Sequence, residues 1–342
     1  CRSGNGSQWS SFGAKGCAGQ DATGILLQVC TSCTATGNTV SGIVGGKGGM
    51  GGWSKGTSGG TGGVAAGIRL VSSAAFSLVD NRVSGVVGGA GGTTGEYAGG
   101  GNGGDGLAVL VSGGSGTQIQ GSLLTATGGA GSTGKSSYPG GSGGLGIGLD
   151  LANTSVTNVA HNGMYGLVGG SPGSGTPAGT RGGAAGVRAT KVGSLSLLHL
   201  TVTGIGGASP DGHAVRVGAG QASSVLLTNS IVANTSGPCL YSDASNPATI
   251  LSAGNFLAYS CAGGTAVNTT VSGTPLALNP LFVNSAQGDL HLQAASPAID
   301  AGKASSNYCA EPEPNGCRVD LGTYGNTSEA TPNPSATHCT CP

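Results

Sequence analysis

Gly67-Ile68-Arg69-Leu70-Val71, then Phe76-Ser77-Leu78, then Asn81 and Val83-Ser84-Gly85-Val86, form one unit of the pattern that decides the fold. Three short runs, with apolar side chains at alternate positions, are separated by small polar turns. Alternation with period two is the signature of a strand with one buried face. The unit recurs, with copies beginning at Gly24, Gly67, Gly106, Gly146, Gly186 and Gly212. Most copies are roughly 40 residues apart, a period that signals stacked units whose cores are completed by their neighbours.

Within the first run, Ile25, Ile68, Leu107, Ile147 and Val187 are expected to form one inward ladder. Leu27, Leu70, Val109, Leu149, Ala189 and Val215 are expected to form a second. The outward set is mixed: Gln28, Arg69, Ala108, Asp150, Arg188 and Arg216. Asn38, Asn81 and Asn229 stand just before the third run, where a residue tolerant of left-handed backbone suits a tight corner. Three short strands per turn predict an all-β fold, a parallel β-helix (solenoid), right-handed because parallel crossovers almost always are. The Gly-Ile-x-Leu, turn, x-Leu-x-Asn-x-Val-x-Gly coil resembles the pectate-lyase-like right-handed β-helix superfamily.

Composition narrows the function. Lys+Arg and Asp+Glu are 13 each, so bulk charge invites neither nucleic acid nor an anionic membrane. No stretch reaches the roughly 20 apolar residues of a transmembrane segment. No basic-apolar leader is present either, so the chain is expected to be mature or a fragment. The ten cysteines are confined to the two ends: Cys1, Cys17, Cys30, Cys33, Cys239, Cys261, Cys309, Cys317, Cys339 and Cys341. All are disulfide candidates, expected to staple the frayed ends of a solenoid in an extracellular or cell-surface protein. Cys239 and Cys261 bracket one segment neatly enough to suggest a local bridge. Sequons at Asn5, Asn153, Asn234, Asn268 and Asn326 are glycosylation candidates.

Gly, at 73 residues, concentrates in inserts at 47–66, 90–105, 130–145 and 171–185. All four leave from the same corner, so they must stack beside one another at the rung spacing. Chains without side chains can lie that close as extended, polyglycine-II-like strands bonded through their backbones. Gly100-Gly101-Asn102-Gly103-Gly104-Asp105-Gly106-Leu107-Ala108 fits a calcium-binding RTX nonapeptide, which makes Asp105 the one metal candidate. That site needs tandem copies, and the equivalent stretches 140–148 and 182–188 lack the Asp, so no metal or other cofactor is expected.

Near the C-terminus, Asn279-Pro280-Leu281-Phe282, Gly288-Asp289-Leu290-His291-Leu292, Ser296-Pro297-Ala298-Ile299-Asp300 and Arg318-Val319-Asp320-Leu321-Gly322-Thr323-Tyr324 occur in order. The series resembles the closing segment of bacterial surface β-helix proteins of the choice-of-anchor Q type. Gly325 replaces the acidic residue usual after that Tyr. Asp300 and Asp320 are expected to cap turns or pair with Arg318, closing the end of the helix. The organisation expected is a cap over 1–23, coils and inserts over 24–234, terminal coils and closing segment over 235–324, and a Cys-containing tail over 325–342.

Lyases and hydrolases of this fold need carboxylates on matching positions of adjacent coils. Asp80 has no such partner, and Asp105 and Asp211 match three coils apart. Asp150 and Arg216 share an outward column with Thr190 expected between them. His161, His199 and His213 lack an orienting carboxylate, and His213 falls where its equivalents are apolar. The expectation is therefore a non-catalytic, self-associating extracellular building block of a surface or filament. A carbohydrate-active enzyme or glycan-binding adhesin is the alternative, with glycans as its partner.

Overall fold

The structure is a computed structural model, and it describes residues 15–156, 158–207, 211–218, 224–243, 248–251, 255–336 and 339. Those residues are nearly all β, with a single 3-10 turn at Ser285–Gln287 and no α-helix. A 15-stranded and a 7-stranded sheet hold almost every strand, and every pairing within them is parallel. The one antiparallel pair among the described residues is Phe282–Asn284 with Asp289–Leu292. The chain visits one row of the large sheet, then a second row, then the 7-stranded sheet, and returns one rung further on. Ala65–Val79 and Gly106–Gln120 run through both rows as single 15-residue strands. The result is a strongly curled parallel sheet, compatible with a β-helix.

Register follows from the side chains that must meet inside. One inward row runs Ile25, Ile68, Val109, Leu149, Val187, Val215, Leu240. The next runs Leu27, Leu70, Val111, Leu151, Ala189, Val217. The expected ladder therefore holds at Ile25, Ile68 and Val187 and slips by two residues in the third and fourth coils. Leu107 and Ile147 stand opposite Ala66 and Ala185 instead. Both remain buried, because a slip of two preserves the face. The described strand of the first rung is half-buried at Ile25 and Leu27, whereas Ile68, Leu70 and Phe76 are fully enclosed. Each enclosed aliphatic or aromatic side chain contributes about 1.5–3 kcal/mol.

Coils continue past the sixth. Leu240–Ser242 and Ala266–Val267 extend the first row, and Phe256–Cys261 extends the 7-stranded sheet. The C-terminal segment does not close the end of this stack. It lies along its side, where Leu292, Ala298 and Leu321 form a second apolar cluster with Ile231, Ala233 and Leu257.

Candidate functional site

Two features stand apart from the core: the glycine layer, and a corner column covered by the C-terminal segment. Each insert leaves after a strand of the 7-stranded sheet, goes out, turns and comes back. Its strands repeat Gly-Gly-x, as in Gly45-Gly46-Lys47-Gly48-Gly49-Met50 and Gly100-Gly101-Asn102-Gly103-Gly104-Asp105. In the first strand of the second insert the burial pattern is buried, buried, exposed: Gly88, Gly89, Ala90, Gly91, Gly92, Thr93. The first glycine of a triplet donates to an x carbonyl of the next insert: Gly48 to Ala90, Gly62 to Asn102, Gly91 to Ala130, Gly103 to Ser142. The second glycine bridges oppositely running strands: Gly60 to Gly49, Gly89 to Gly63, Gly104 to Gly89, Gly129 to Gly104, Gly144 to Gly129, Gly170 to Gly144, at 2.8–2.9 Å. At such approach no Cβ fits. One at Gly101 would lie 2.7 Å from the Gly92 amide and collide with the Gly60 carbonyl.

Residues assigned by sequence to an N-terminal cap begin this layer, since Gly46 donates to Gln20 and Gly49 to Cys17. Asp105 serves the same array: its carboxylate accepts from the Leu145 amide at 2.8 Å, and burial raises its pKa. Among the described residues, no group of three or more His, Cys, Asp or Glu is placed to hold a metal ion.

Outward on the large sheet, Arg69, Leu110, Asp150, Arg188, Arg216 and Tyr241 share one column. Arg188, rather than the expected Thr190, stands between Asp150 and Arg216, because Thr190 pairs with Ala152. Its guanidinium grips Asp150 through two bonds of 2.9 and 2.7 Å. Arg216 reaches Asp243 at 3.3 Å and lies over the Tyr241 ring. His213 is fully buried, its Nδ1 3.0 Å from the Pro238 carbonyl and its ring stacked on Tyr241.

The corner before the third strand holds two columns. Asn38 donates to the Asn81 side chain at 2.9 Å, the Ser122 amide donates to Asn162, and the Leu200 amide donates to Ser230. Asn229 does not join that column. It continues the neighbouring one, Asp80, Gly121, His161, His199, Asn229, every member of which has left-handed backbone. At Gly121 a Cβ would meet the Asp80 carboxylate, the far end of an exposed side chain that can move aside. His161 and His199 stack with ring centroids 4.8 Å apart.

Onto these rings folds the C-terminal segment. The Thr323 hydroxyl donates to the His161 carbonyl, the Thr323 carbonyl faces His161 Nδ1 at 3.2 Å, and the Gly322 amide donates to Asn229. Burial lowers the pKa of His161, and that of His199 to about 3, with the neighbouring His161 reinforcing the latter. Both rings are neutral at pH 7. Asp320 accepts from the amides of Asp300 and Thr331, and Asp300 accepts from the Asn333 side chain, so both carboxylates tie distant parts of the C-terminal segment together. Arg318 instead donates to the backbone carbonyls of Ala301 and Gly302. Glu311 accepts from the amides of Asp320 and Asn326; burial pushes it up to about 7 and Asp320 to about 8.

Between the corner column and this segment opens a polar cleft of about 460 Å³. Asp80, Gln120, Ser122 and His161 line one side; Thr323, Tyr324, Asn326, Thr327 and Glu329 line the other. Sequence reasoning missed it. The signal lay in Ile231-Val232-Ala233 and Phe256-Leu257-Ala258, third strands apolar on both faces, which require cover on the outside.

Disulfides join Cys30 to Cys33, Cys239 to Cys261 and Cys317 to Cys339, and Cys17 and Cys309 are bonded as well. They are consistent with an oxidising, extracellular compartment. Cys1, Cys341 and Asn5 lie outside the described residues. Asn153, Asn234 and Asn268 are exposed and Asn326 half-buried. All four have positive φ, which accounts for Asn at these turns without a glycan. No helix of the described residues is long and apolar enough to cross a membrane.

No family model matches the sequence, and no curated protein matches it. Among solved structures, the chain is similar to a nine polyproline type II helical bundle springtail antifreeze protein from Granisotoma rainieri. The similarity is 27% identity over 50% of this chain and 90% of that one, with a TM-score of 0.13.

Proposed function

We propose that this chain is a non-catalytic extracellular building block: a right-handed parallel β-helix flanked by a polyglycine-II-like layer, which associates with further copies at a surface or in a filament. The observation that carries the reading is the insert network. Each Gly-Gly-x strand spends its amides on its neighbours, fixing long loops into a rigid slab beside an aliphatic column. The slab offers a level rank of small side chains, among them Ala90, Thr93, Ala130, Thr133, Ser171 and Ser174, suited to lateral packing. At the first described rung, Leu26, Val29 and Val44 are 53%, 74% and 59% exposed, apolar side chains suited to contact with a further copy. The two bonds from Arg188 to Asp150 support a structural role for this pair of charges. The coil motifs and the C-terminal series support a likeness to pectate-lyase-like helices and to choice-of-anchor Q surface proteins. Electron microscopy of the purified chain tests the reading: ordered filaments or lateral arrays are expected, and a strictly monomeric protein at all concentrations would overturn it.

A further inference from the structure

We propose that the cleft between the corner column and the C-terminal segment binds a hydroxyl-rich saccharide, neutral or amine-bearing, and rejects polyuronates. The inference stands independently of self-association. At about 460 Å³ the cleft falls within the range of small-ligand sites, and its walls come from two separate parts of the chain. Its charged lining groups are Asp80 and Glu329, both exposed, with no Lys or Arg among the lining residues. With Nδ1 of the neutral His161 ring bonded to the Thr323 carbonyl, Nε2 is left as an acceptor. The lining sets two carboxylates beside hydroxyls and amides that both donate and accept, a surface matched by sugar hydroxyls and, at the carboxylates, by ammonium groups.

Tyr324 adds an aromatic wall. His291 stacks on its ring with centroids 4.0 Å apart, and Asp289 at 2.6 Å and Glu329 at 3.5 Å hold His291 in place. A pyranose presents both an apolar face for such a ring and a rim of hydroxyls for the acceptors. A lysine side chain meets the carboxylates and the aromatic wall through its ammonium alone, and brings no hydroxyls for the remaining polar lining. A uronate chain brings further negative charge against Asp80 and Glu329, and Arg82, whose charge acts on Tyr324, stands outside the lining.

Titration calorimetry on the full chain at pH 7 tests this with four probes: a chito-oligosaccharide, its deacetylated chitosan counterpart, an oligogalacturonate and tetralysine. Binding of at least one of the first two below millimolar Kd is expected, with no heat from oligogalacturonate and weaker binding of tetralysine. Tyr324→Ala should weaken saccharide binding at least fivefold. Asp80→Asn, on an exposed corner, should weaken the chitosan probe more than the neutral one. Should Tyr324→Ala unfold, Asp80→Asn carries the test alone. Equal binding of oligogalacturonate, tighter binding of tetralysine, or no saccharide binding at millimolar concentration would overturn the proposal.

Discussion

Between pH 7 and pH 5, protonation of His199 on opening should favour release of the C-terminal segment from the corner column, and His199→Asn should remove that contribution. His199 is 3% exposed, and its folded pKa is held near 3 by burial and by the His161 ring. A histidine depressed in this way contributes stability that is complete above its unfolded pKa of about 6.5 and is lost as pH falls below it. Across these two pH units the opened state gains about 1.4 decades of protonation over the closed one. At 1.36 kcal/mol per decade that is about 2 kcal/mol, roughly a 25-fold change in the opening equilibrium. Glu311 and Asp320 carry the opposite sign. Their folded pKa values are raised, so their contribution is present at low pH and lost as pH rises through about 7 and about 8. Both groups remain in the variant, as does His161, whose pKa burial lowers with the same sign as that of His199, so the difference between the two proteins reports the loss of the His199 ring. Asn is a suitable replacement because Asn229 holds the same left-handed backbone in the same column. Hydrogen exchange reads the opening at the amides of Gly322 and Thr323, which donate to Asn229 and Thr201. An equal acid response in both proteins would refute the reasoning.

Phe76→Ala, which empties a fully buried site in the column, should cost about 3–5 kcal/mol in denaturant unfolding. A loss below 1 kcal/mol would mean that Phe76 does not fill the core. Gly101→Ala should abolish amide protection in the neighbouring inserts while leaving the far-UV circular dichroism of the strands nearly unchanged; retained protection would contradict the close approach at that position. Asp150→Asn should lower stability by about 3 kcal/mol by stranding the Arg188 guanidinium, and Asp150→Asn with Arg188→Leu should recover much of that loss. A double variant no more stable than the single would show that the pair is not coupled.

Period-two alternation made the strands and their inward faces legible, because burial on one side leaves its mark on every second residue. It did not fix register. Parallel rungs slipped by two residues bury the same face, so Leu107 and Ile147 were placed beside Ile68 when Val109 and Leu149 belong there. The layering of the inserts is legible in the glycine content and the shared corner. Their bonding rule was not, although it is written in the Gly-Gly-x triplets of 45–50, 88–93 and 100–105. The cleft was hidden for a different reason. It depends on where Leu292, Ala298 and Leu321 dock, a long-range choice that no local pattern in their own segment specifies.

The central claim is that the inserts are bonded to one another through their backbones with period three. Through-hydrogen-bond scalar couplings in labelled protein test it most directly. Measurable couplings are predicted from the amides of Gly89, Gly104, Gly129 and Gly144 to the carbonyls of Gly63, Gly89, Gly104 and Gly129. The amides of the intervening Ala90, Asp105 and Ala130 should give none to those carbonyls. Absent couplings together with fast solvent exchange at all of these glycines would contradict the layer and the building-block reading that rests on it.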